Sequence, residues 1–278
     1  MPHHPFNLRL FTPMKPLIRL LAAGVVMGLA ACHNNTPPSC AASPDTPASA
    51  PFTVAEYCAA RPLPQVLWLH VHENETTALA ATRQTLEEQG EGCVRTLHHG
   101  NGRDVAWRLN GQMLTFDPNR MFSAAGRTAT LRRSACRHAE AEQALDAVAA
   151  DFVARHVHGR RLLVAVHNNQ PHGISVYSLM GNGILAHDAA QVAHNPAHSR
   201  DDFFYVTGTH AFDFFARRGF NVVLQDNARV RDDGSLSVYA ARHGIDYINV
   251  EAAHGHLAQQ QAMLAAVYEY IRIEGLDQ

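Results

Sequence analysis

Short apolar runs alternate along the chain with stretches whose apolar residues recur at helical spacing. The predicted strands cover residues 66–72, 93–97, 105–109, 113–116, 162–167, 174–179, 203–206, 221–224 and 247–251. The predicted helices cover residues 76–89, 139–158, 210–218, 235–243 and 257–273, and several are followed by a glycine. This alternation is typical of an α/β fold.

The strands differ in how they alternate apolar and polar residues. The runs at 66–72, 162–167, 221–224 and 247–251 lack clean alternation, which indicates strands buried on both faces. The pair Asn110-Gly111 separates two short strands and predicts a hairpin, and therefore an antiparallel part. We expect a mixed, mostly parallel central sheet with helices on both faces.

Composition narrows the function classes. The chain has 278 residues, is 46% hydrophobic and carries a formal net charge of −2, which fits a globular domain rather than a coiled coil or a disordered chain. Because the chain has no Lys/Arg block, we expect no nucleic-acid partner. The chain has 19 histidines, a high number of the side chain that most often binds transition metals.

The N-terminus is typical of an export signal. Lys15 and Arg19 precede an apolar run over residues 20–31, which is too short to span a bilayer comfortably. The run ends in LAAC at 29–32, which resembles a bacterial lipobox with Cys32 as the lipidated residue. We expect a signal peptide over 1–31, with Met14 as an alternative start. A plain secretory signal is the alternative interpretation.

Residues 32–51 hold the lipidated cysteine and a tether rich in Pro, Ala and Ser, so the globular domain is expected at 52–278. His33 after the cysteine indicates sorting to the outer membrane of a Gram-negative bacterium, on its periplasmic side. That compartment permits disulfides. Three pairings remain open among the other cysteines, Cys40, Cys58, Cys93 and Cys136.

Polar residues that close apolar strands are the candidates for chemistry, since reactive side chains collect there in open α/β sheets. His72 and Glu75 lie three residues apart where the first strand turns into a helix, a spacing that suits two ligands of one cation. His167 closes a later apolar strand, and Glu251 lies on the last one. A carboxylate on a buried strand needs a proton or a charged partner, so Glu251 is a plausible site residue.

Four motifs, in order, resemble the zinc-dependent metallocarboxypeptidase superfamily, and above all its succinylglutamate desuccinylase/aspartoacylase branch. They are HENET at 72–76, DPNRMF at 117–122, VAVHNN at 164–169 and INVEA at 248–252. The resemblance implies an α/β/α fold and one Zn²⁺ held by His72, Glu75 and His167. It implies that Glu251 is the general base.

The same resemblance implies a carboxylate-binding pair at Asn119 and Arg120. Arginine holds a carboxylate with two parallel hydrogen bonds, so this pair suits an anionic substrate end. Arg103 is the best candidate for the arginine that steadies the developing negative charge on the substrate, and a solvated loop charge is the alternative.

One ambiguity concerns the ligand frame. His70 and Glu73 form a second His-x-x-Glu two residues earlier, and Glu73 replaces the small residue usual in this branch. The neighbours Asn74 and Thr76 favour the frame of His72 and Glu75.

The sequence therefore predicts a lipid-anchored periplasmic zinc hydrolase that cleaves an amide or peptide bond next to a free carboxylate, with short or cell-wall peptides as candidate substrates. Two alternatives stay open. One is an N-acyl amino acid deacylase on the same fold, and the other is a non-catalytic lipoprotein that binds a metal or a peptide.

Overall fold

An eight-stranded sheet and a separate hairpin are formed in the computed structural model, which describes residues 50–132, 134, 139–170 and 173–278. The strands are β1 (Thr53–Cys58), β2 (Val66–His70), β3 (Cys93–His98), β4 (Val105–Leu109), β5 (Gln112–Phe116), β6 (Leu162–Asn169), β7 (Ala189–Ala193), β8 (Phe203–Val206), β9 (Val222–Gln225) and β10 (Asp246–Ala253). The helices are α1 (Thr76–Gln89), α2 (Ala124–Leu131), α3 (Ala139–Phe152), α4 (Thr209–Arg217), α5 (Leu236–Arg242) and α6 (Leu257–Ile273).

The sheet is mixed. Its strand order is β1-β3-β2-β6-β10-β8-β9-β7, and the four central strands β3, β2, β6 and β10 run parallel to one another. The β8–β9 pair is also parallel, whereas β1–β3, β10–β8 and β7–β9 are antiparallel. The prediction of a mixed, mostly parallel sheet is confirmed.

Both faces of the sheet are covered, which explains the strands that lack alternation. One face packs on α1, α4 and α6 through residues such as Trp68 and Val164. The other face packs on α2, α3, α5 and the hairpin through the intervening residues, such as Leu69 and Ala165. Because alternate side chains enter two separate apolar cores, the central strands carry apolar residues on both faces.

The predicted hairpin is confirmed as β4 and β5. Asn110 and Gly111 have φ angles of +49° and +80°. A two-residue hairpin turn with positive φ at both positions matches the twist of the strands, and asparagine and glycine tolerate that conformation best.

The predicted strand at 174–179 is wrong. Val176–Leu179 form a 3₁₀ turn, in which Ser175 and Ser178 exchange side-chain-to-backbone hydrogen bonds. This turn buries Val176 and Leu179, which lie three residues apart, so its apolar residues follow a turn period and not a strand period. The structure also has β1, β7 and α2, which the apolar pattern did not predict.

A disulfide joins Cys58 to Cys93, the last residue of β1 to its register partner at the start of β3. One of the three cysteine pairings left open by the sequence contains this disulfide. Cys32, Cys40 and Cys136 lie outside the described residues, as does the predicted signal peptide. Within the described part of the chain, every helix is too short or too polar to cross a membrane.

Candidate metal centre and substrate pocket

Three neighbouring parallel strands deliver the predicted site residues to one edge of the sheet. His72 follows β2, His167 lies near the end of β6, and Glu251 lies near the end of β10. These strands are adjacent in the order β2-β6-β10, and His167 and Glu251 are direct register partners. The carboxyl ends of parallel strands are where α/β folds place their ligands.

A tight turn brings His72 and Glu75 together. The Glu75 amide donates a hydrogen bond to the His72 carbonyl over 3.0 Å, and α1 begins at the next residue. Because the turn places the two side chains on the same side, His72 Nδ1 lies 2.9 Å from Glu75 Oε1. The His-x-x-Glu spacing thus brings the two side chains together because a strand-to-helix turn joins them.

His167 completes a cluster with these two residues. Its Nδ1 lies 2.8 Å from Glu75 Oε2 and 3.1 Å from His72 Nδ1. All three side chains are buried, and one nitrogen or oxygen from each lies within 4.8 Å of the others. Two imidazole nitrogens and one carboxylate facing a common point form a donor set that fits a divalent cation such as zinc.

Asp117 orients the first of these imidazoles. His72 Nε2 lies 2.9 Å from Asp117 Oδ1, which leaves Nδ1 to face Glu75 and His167. Burial alone would lower the pKa of His72, but hydrogen bonds from the ring to Asp117 and Glu75 raise it. The same hydrogen bond holds the pKa of the Asp117 carboxyl well below its usual range, against the effect of burial.

Glu75 is held ionised in this cluster. Burial alone would raise the pKa of its carboxyl, but the charge and hydrogen bonds of His167 and His72 lower it far below the ordinary value. Arg103 also contacts this carboxylate, since its Nη1 donates to Glu75 Oε1 over 2.8 Å. A buried carboxylate that is already ionised can bind a cation without first losing a proton.

The alternative pair His70 and Glu73 does not converge. His70 is buried and its Nε2 lies 3.1 Å from the Glu75 carbonyl oxygen, and burial lowers the pKa of its ring to about 4. Glu73 faces the other way and accepts hydrogen bonds from the 98–101 loop. The geometry therefore favours the frame of His72 and Glu75.

A cavity of about 550 Å³ opens onto the cluster. It is lined by all of the predicted site residues, His72, Glu75, His167, Glu251, Asn119, Arg120 and Arg103. Ile174, Leu179 and Leu185, from the segment between β6 and β7, form an apolar part of its wall. Residues from several distant parts of the sequence thus meet in one pocket.

Glu251 lies in this pocket with one defined polar neighbour. The Asn249 side-chain amide donates to Glu251 Oε1 over 3.0 Å. Burial raises the pKa of the Glu251 carboxyl, which suits a group that must accept a proton and later release it.

Asn119 and Arg120 lie on a short 3₁₀ turn that follows β5. The Asp117 carboxylate caps this turn by accepting from the Asn119 amide over 2.8 Å. Asn119 Oδ1 accepts from the Leu236 amide at the start of α5. The guanidinium of Arg120 lies 3.5 Å from the Asp233 carboxylate, a long ion pair in the pocket wall.

A close backbone contact holds this turn in place. Gly126 at the start of α2 packs against the backbone of Gly234 and Arg120 so tightly that an added Cβ would lie under 3.0 Å from each. The Phe122 amide also donates to the Gly234 carbonyl over 3.1 Å. Position 126 therefore accepts only glycine without a shift of the Arg120 backbone.

Three polar residues that contact the cluster of His72, Glu75 and His167 were not assigned a role from the sequence. Asp117 belongs to the DPNRMF motif, which was a usable signal. Asn168 donates its backbone amide to Glu75 Oε2 over 3.2 Å and bonds through its side chain to Gln260 of α6. Gln260 is fully buried and donates to the His167 carbonyl over 2.9 Å. A glutamine within the Gln259–Gln261 run gives no sequence signal for this role.

No family model and no curated protein matches the chain. It is similar to the murein-tripeptide amidase MpaA from Escherichia coli O157, with 12% identity and a TM-score of 0.41 over 77% of this chain and 84% of that one. The tripeptide-bound Csd4 protein from Helicobacter pylori shares 11% identity, with a TM-score of 0.43 over 81% of this chain and 56% of that one.

The chain is also similar to a succinylglutamate desuccinylase/aspartoacylase from Rhodobacter sphaeroides, with 11% identity and a TM-score of 0.37 over 79% of this chain and 58% of that one. This is the family that the four motifs resemble. TM-scores below 0.5 say nothing about activity, so the chemistry of this chain rests on its own side chains.

Proposed function

We propose that this chain is a zinc-dependent hydrolase that cleaves an amide or peptide bond next to a free carboxylate. The observation that carries the proposal is the convergence of His72, Glu75 and His167 on one buried point, in the same pocket as Glu251. Two histidines and one carboxylate are a ligand set that catalytic zinc uses when it keeps a further position open.

The ion and Glu251 have separate tasks in this proposal. Zinc, when bound by the three ligands, lowers the pKa of a water molecule and polarises the substrate carbonyl. Glu251 accepts the proton of the attacking water on its carboxylate and passes it to the leaving nitrogen. A carboxylate whose pKa is raised by burial is a stronger proton acceptor than an exposed one.

The arginines act on the substrate. Arg120, with Asn119 beside it, binds the free carboxylate, and its ion pair with Asp233 is long enough for a substrate carboxylate to compete. Arg103 lies next to Glu75 and stabilises negative charge that develops on the carbonyl oxygen. Binding energy from the remote carboxylate then orients the scissile bond.

We propose that the protein acts in the periplasm. The LAAC sequence at 29–32 supports a lipid anchor at Cys32 on the periplasmic side of a Gram-negative outer membrane. In that compartment, short peptides, including cell-wall peptides, are the proposed substrates.

The proposal is tested by combining elemental analysis with hydrolysis of a library of short peptides and N-acyl amino acids. The wild-type protein should contain one zinc per chain and cleave members with a free carboxylate. Glu251→Gln should keep the zinc and lose roughly 10²–10⁴-fold in kcat, because only the proton acceptor is removed. His72→Ala should lose both the zinc and the activity.

His210→Ala is the matched control, since this side chain is 83% exposed and far in sequence from the ligands, and it should leave both measurements unchanged. Zinc without any turnover would contradict the enzyme proposal and favour a metal- or peptide-binding lipoprotein. Cleavage confined to N-acyl amino acids would replace the peptidase proposal with a deacylase. Full activity of Glu251→Gln would refute the assigned role of Glu251.

A further inference from the structure

Glu73 lies between two candidate metal ligands but turns its carboxylate away from them. The side chain is 13% exposed, and Oε1 accepts from His98 Nδ1 over 2.6 Å. Its other oxygen, Oε2, accepts from three successive backbone amides of the loop that follows β3, those of His99, Gly100 and Asn101. Both oxygens are therefore occupied by the loop.

The three amides form an anion-binding nest. Their distances to Glu73 Oε2 are 2.8, 2.9 and 2.9 Å. Successive amides converge on one point when the backbone enters the left-handed region, and here Gly100 has φ +113° and Asn101 has φ +65°. A left-handed asparagine costs conformational energy, which the carboxylate offsets with bonds strengthened by its charge.

The loop that Glu73 holds carries Arg103 into the pocket. The Asn74 amide donates to the Gly102 carbonyl over 3.3 Å, which docks the loop onto the ligand turn. One residue later, Arg103 donates from Nη1 to Glu75 Oε1 over 2.8 Å, and its Nη2 lies 3.5 Å from Asp117 Oδ2. Its side chain is 48% exposed, and the position of its backbone, which the loop sets, limits where the guanidinium can reach.

We propose that Glu73 is a positioning residue, whose carboxylate serves as the internal anion of the 99–101 nest and thereby fixes Arg103 against the reacting carbonyl. It is not a metal ligand. The inference rests on the proposed hydrolase function for the role of Arg103. The placement of the loop by Glu73 is independent of that function and can be measured without it.

The test compares Glu73→Ala, Glu73→Gln, Arg103→Ala and the double variant Glu73→Ala/Arg103→Ala in the full chain. Hydrogen exchange at the amides of residues 99–101 should be about 10-fold to 100-fold faster in Glu73→Ala, and less so in Glu73→Gln, which keeps one neutral acceptor. Arg103→Ala should leave this exchange unchanged, because the nest does not depend on the guanidinium. Zinc content should stay at that of the wild type in all four variants.

Steady-state kinetics test the link to Arg103. Arg103→Ala should lower kcat/KM about 100-fold, and Glu73→Ala about 10-fold or more. The double variant should be no slower than Arg103→Ala within about twofold, because Glu73 acts only through Arg103. Glu56→Gln, which removes the partner of Arg95 at the sheet edge, is the control and should match the wild type.

Three results would overturn the inference: unchanged exchange at 99–101 in Glu73→Ala, loss of zinc in Glu73→Ala, or losses in kcat/KM that multiply in the double variant. If the wild type hydrolyses nothing, the proposed function fails. The exchange and zinc measurements then still decide whether Glu73 holds the loop, because neither needs turnover.

Discussion

A single carboxylate determines which ring nitrogen of a histidine points toward the candidate metal centre. Asp117 takes the Nε2 side of His72, so the Nδ1 side faces Glu75 and His167. Ligand histidines commonly depend on such a partner, which fixes the tautomer and raises the basicity of the ligating nitrogen. The candidate metal centre is therefore a four-residue unit, of which three residues converge on one point.

This arrangement predicts a change in metal affinity for Asp117→Asn. We expect zinc to bind about 10-fold to 100-fold more weakly, because a neutral amide orients and polarises the His72 ring less well. Competition with a chromophoric chelator measures the affinity directly. Asp151→Asn, which alters an exposed ion pair with Arg155, is the control. Equal affinities in wild type and Asp117→Asn would show that Asp117 has no such role.

The three residues of this cluster could be singled out in the sequence because His72 and His167 lie where apolar strands end. His72 and Glu75 are additionally joined by one local turn, so their spacing is visible in the chain. Asp117 lies in the DPNRMF motif, but nothing in the local pattern shows that its carboxylate meets His72, 45 residues earlier. The contact of Gln260 with His167 is still harder to predict from the sequence, since the two residues lie 93 positions apart.

At the scale of elements, the turn that carries Asn119 and Arg120 depends on how closely α2 approaches the 232–235 segment. Gly126 and Gly234 touch through their backbones, and Arg120 contributes its carbonyl to the same contact. Asn119 also bonds to the first residue of α5. The turn at Asn119 and Arg120 is thus fixed by the packing of two helices.

We expect Gly126→Ala to destabilise the protein by about 1–3 kcal/mol, because the added Cβ would overlap three backbone atoms that must move apart. Chemical unfolding monitored by circular dichroism gives this difference. The same shift of Arg120 should raise KM more than it lowers kcat. Gly208→Ala is the control, since its added Cβ meets only Asp246 Oδ1 at 3.4 Å. A stability equal to that of the control would contradict the packing argument.

Secondary structure was predicted correctly where burial gives the apolar residues a regular strand or helix spacing. It was predicted wrongly or missed where the spacing is not regular. The central strands and α1 follow from long apolar patterns, and their bounds agree with the structure to within two residues. The edge strand β1 has mostly exposed side chains and therefore no apolar signal. The segment at 174–179 was mistaken for a strand because a 3₁₀ turn can also bury several apolar residues.

At the scale of the whole molecule, the edge strand β1 is held mainly by β3 and by the disulfide at its end. The Cys58–Cys93 bond closes a loop that spans 35 positions and contains β2 and α1. In the chain-entropy account, closing a loop of this size stabilises the folded state by roughly 3–4 kcal/mol.

We therefore expect the double variant Cys58→Ser/Cys93→Ser to lose about 3 kcal/mol of stability and roughly 5–10 °C in Tm. Calorimetry under oxidising conditions provides both values. Zinc affinity should not change, because the bond lies at the start of β3 while the ligands lie beyond the opposite end of β2. A variant as stable as the wild type would show that the bond contributes nothing to folding.

Part of the apolar pocket wall comes from the segment between β6 and β7, whereas His167 lies on β6 and His72 and Glu75 lie in the turn that follows β2. We therefore expect substitutions at Ile174, Leu179 or Leu185 to change what the cavity admits while the cluster of His72, Glu75 and His167 keeps its geometry. In the proposed enzyme, part of the substrate selectivity would then come from a segment that carries none of the metal ligands, so the two could diverge separately during evolution.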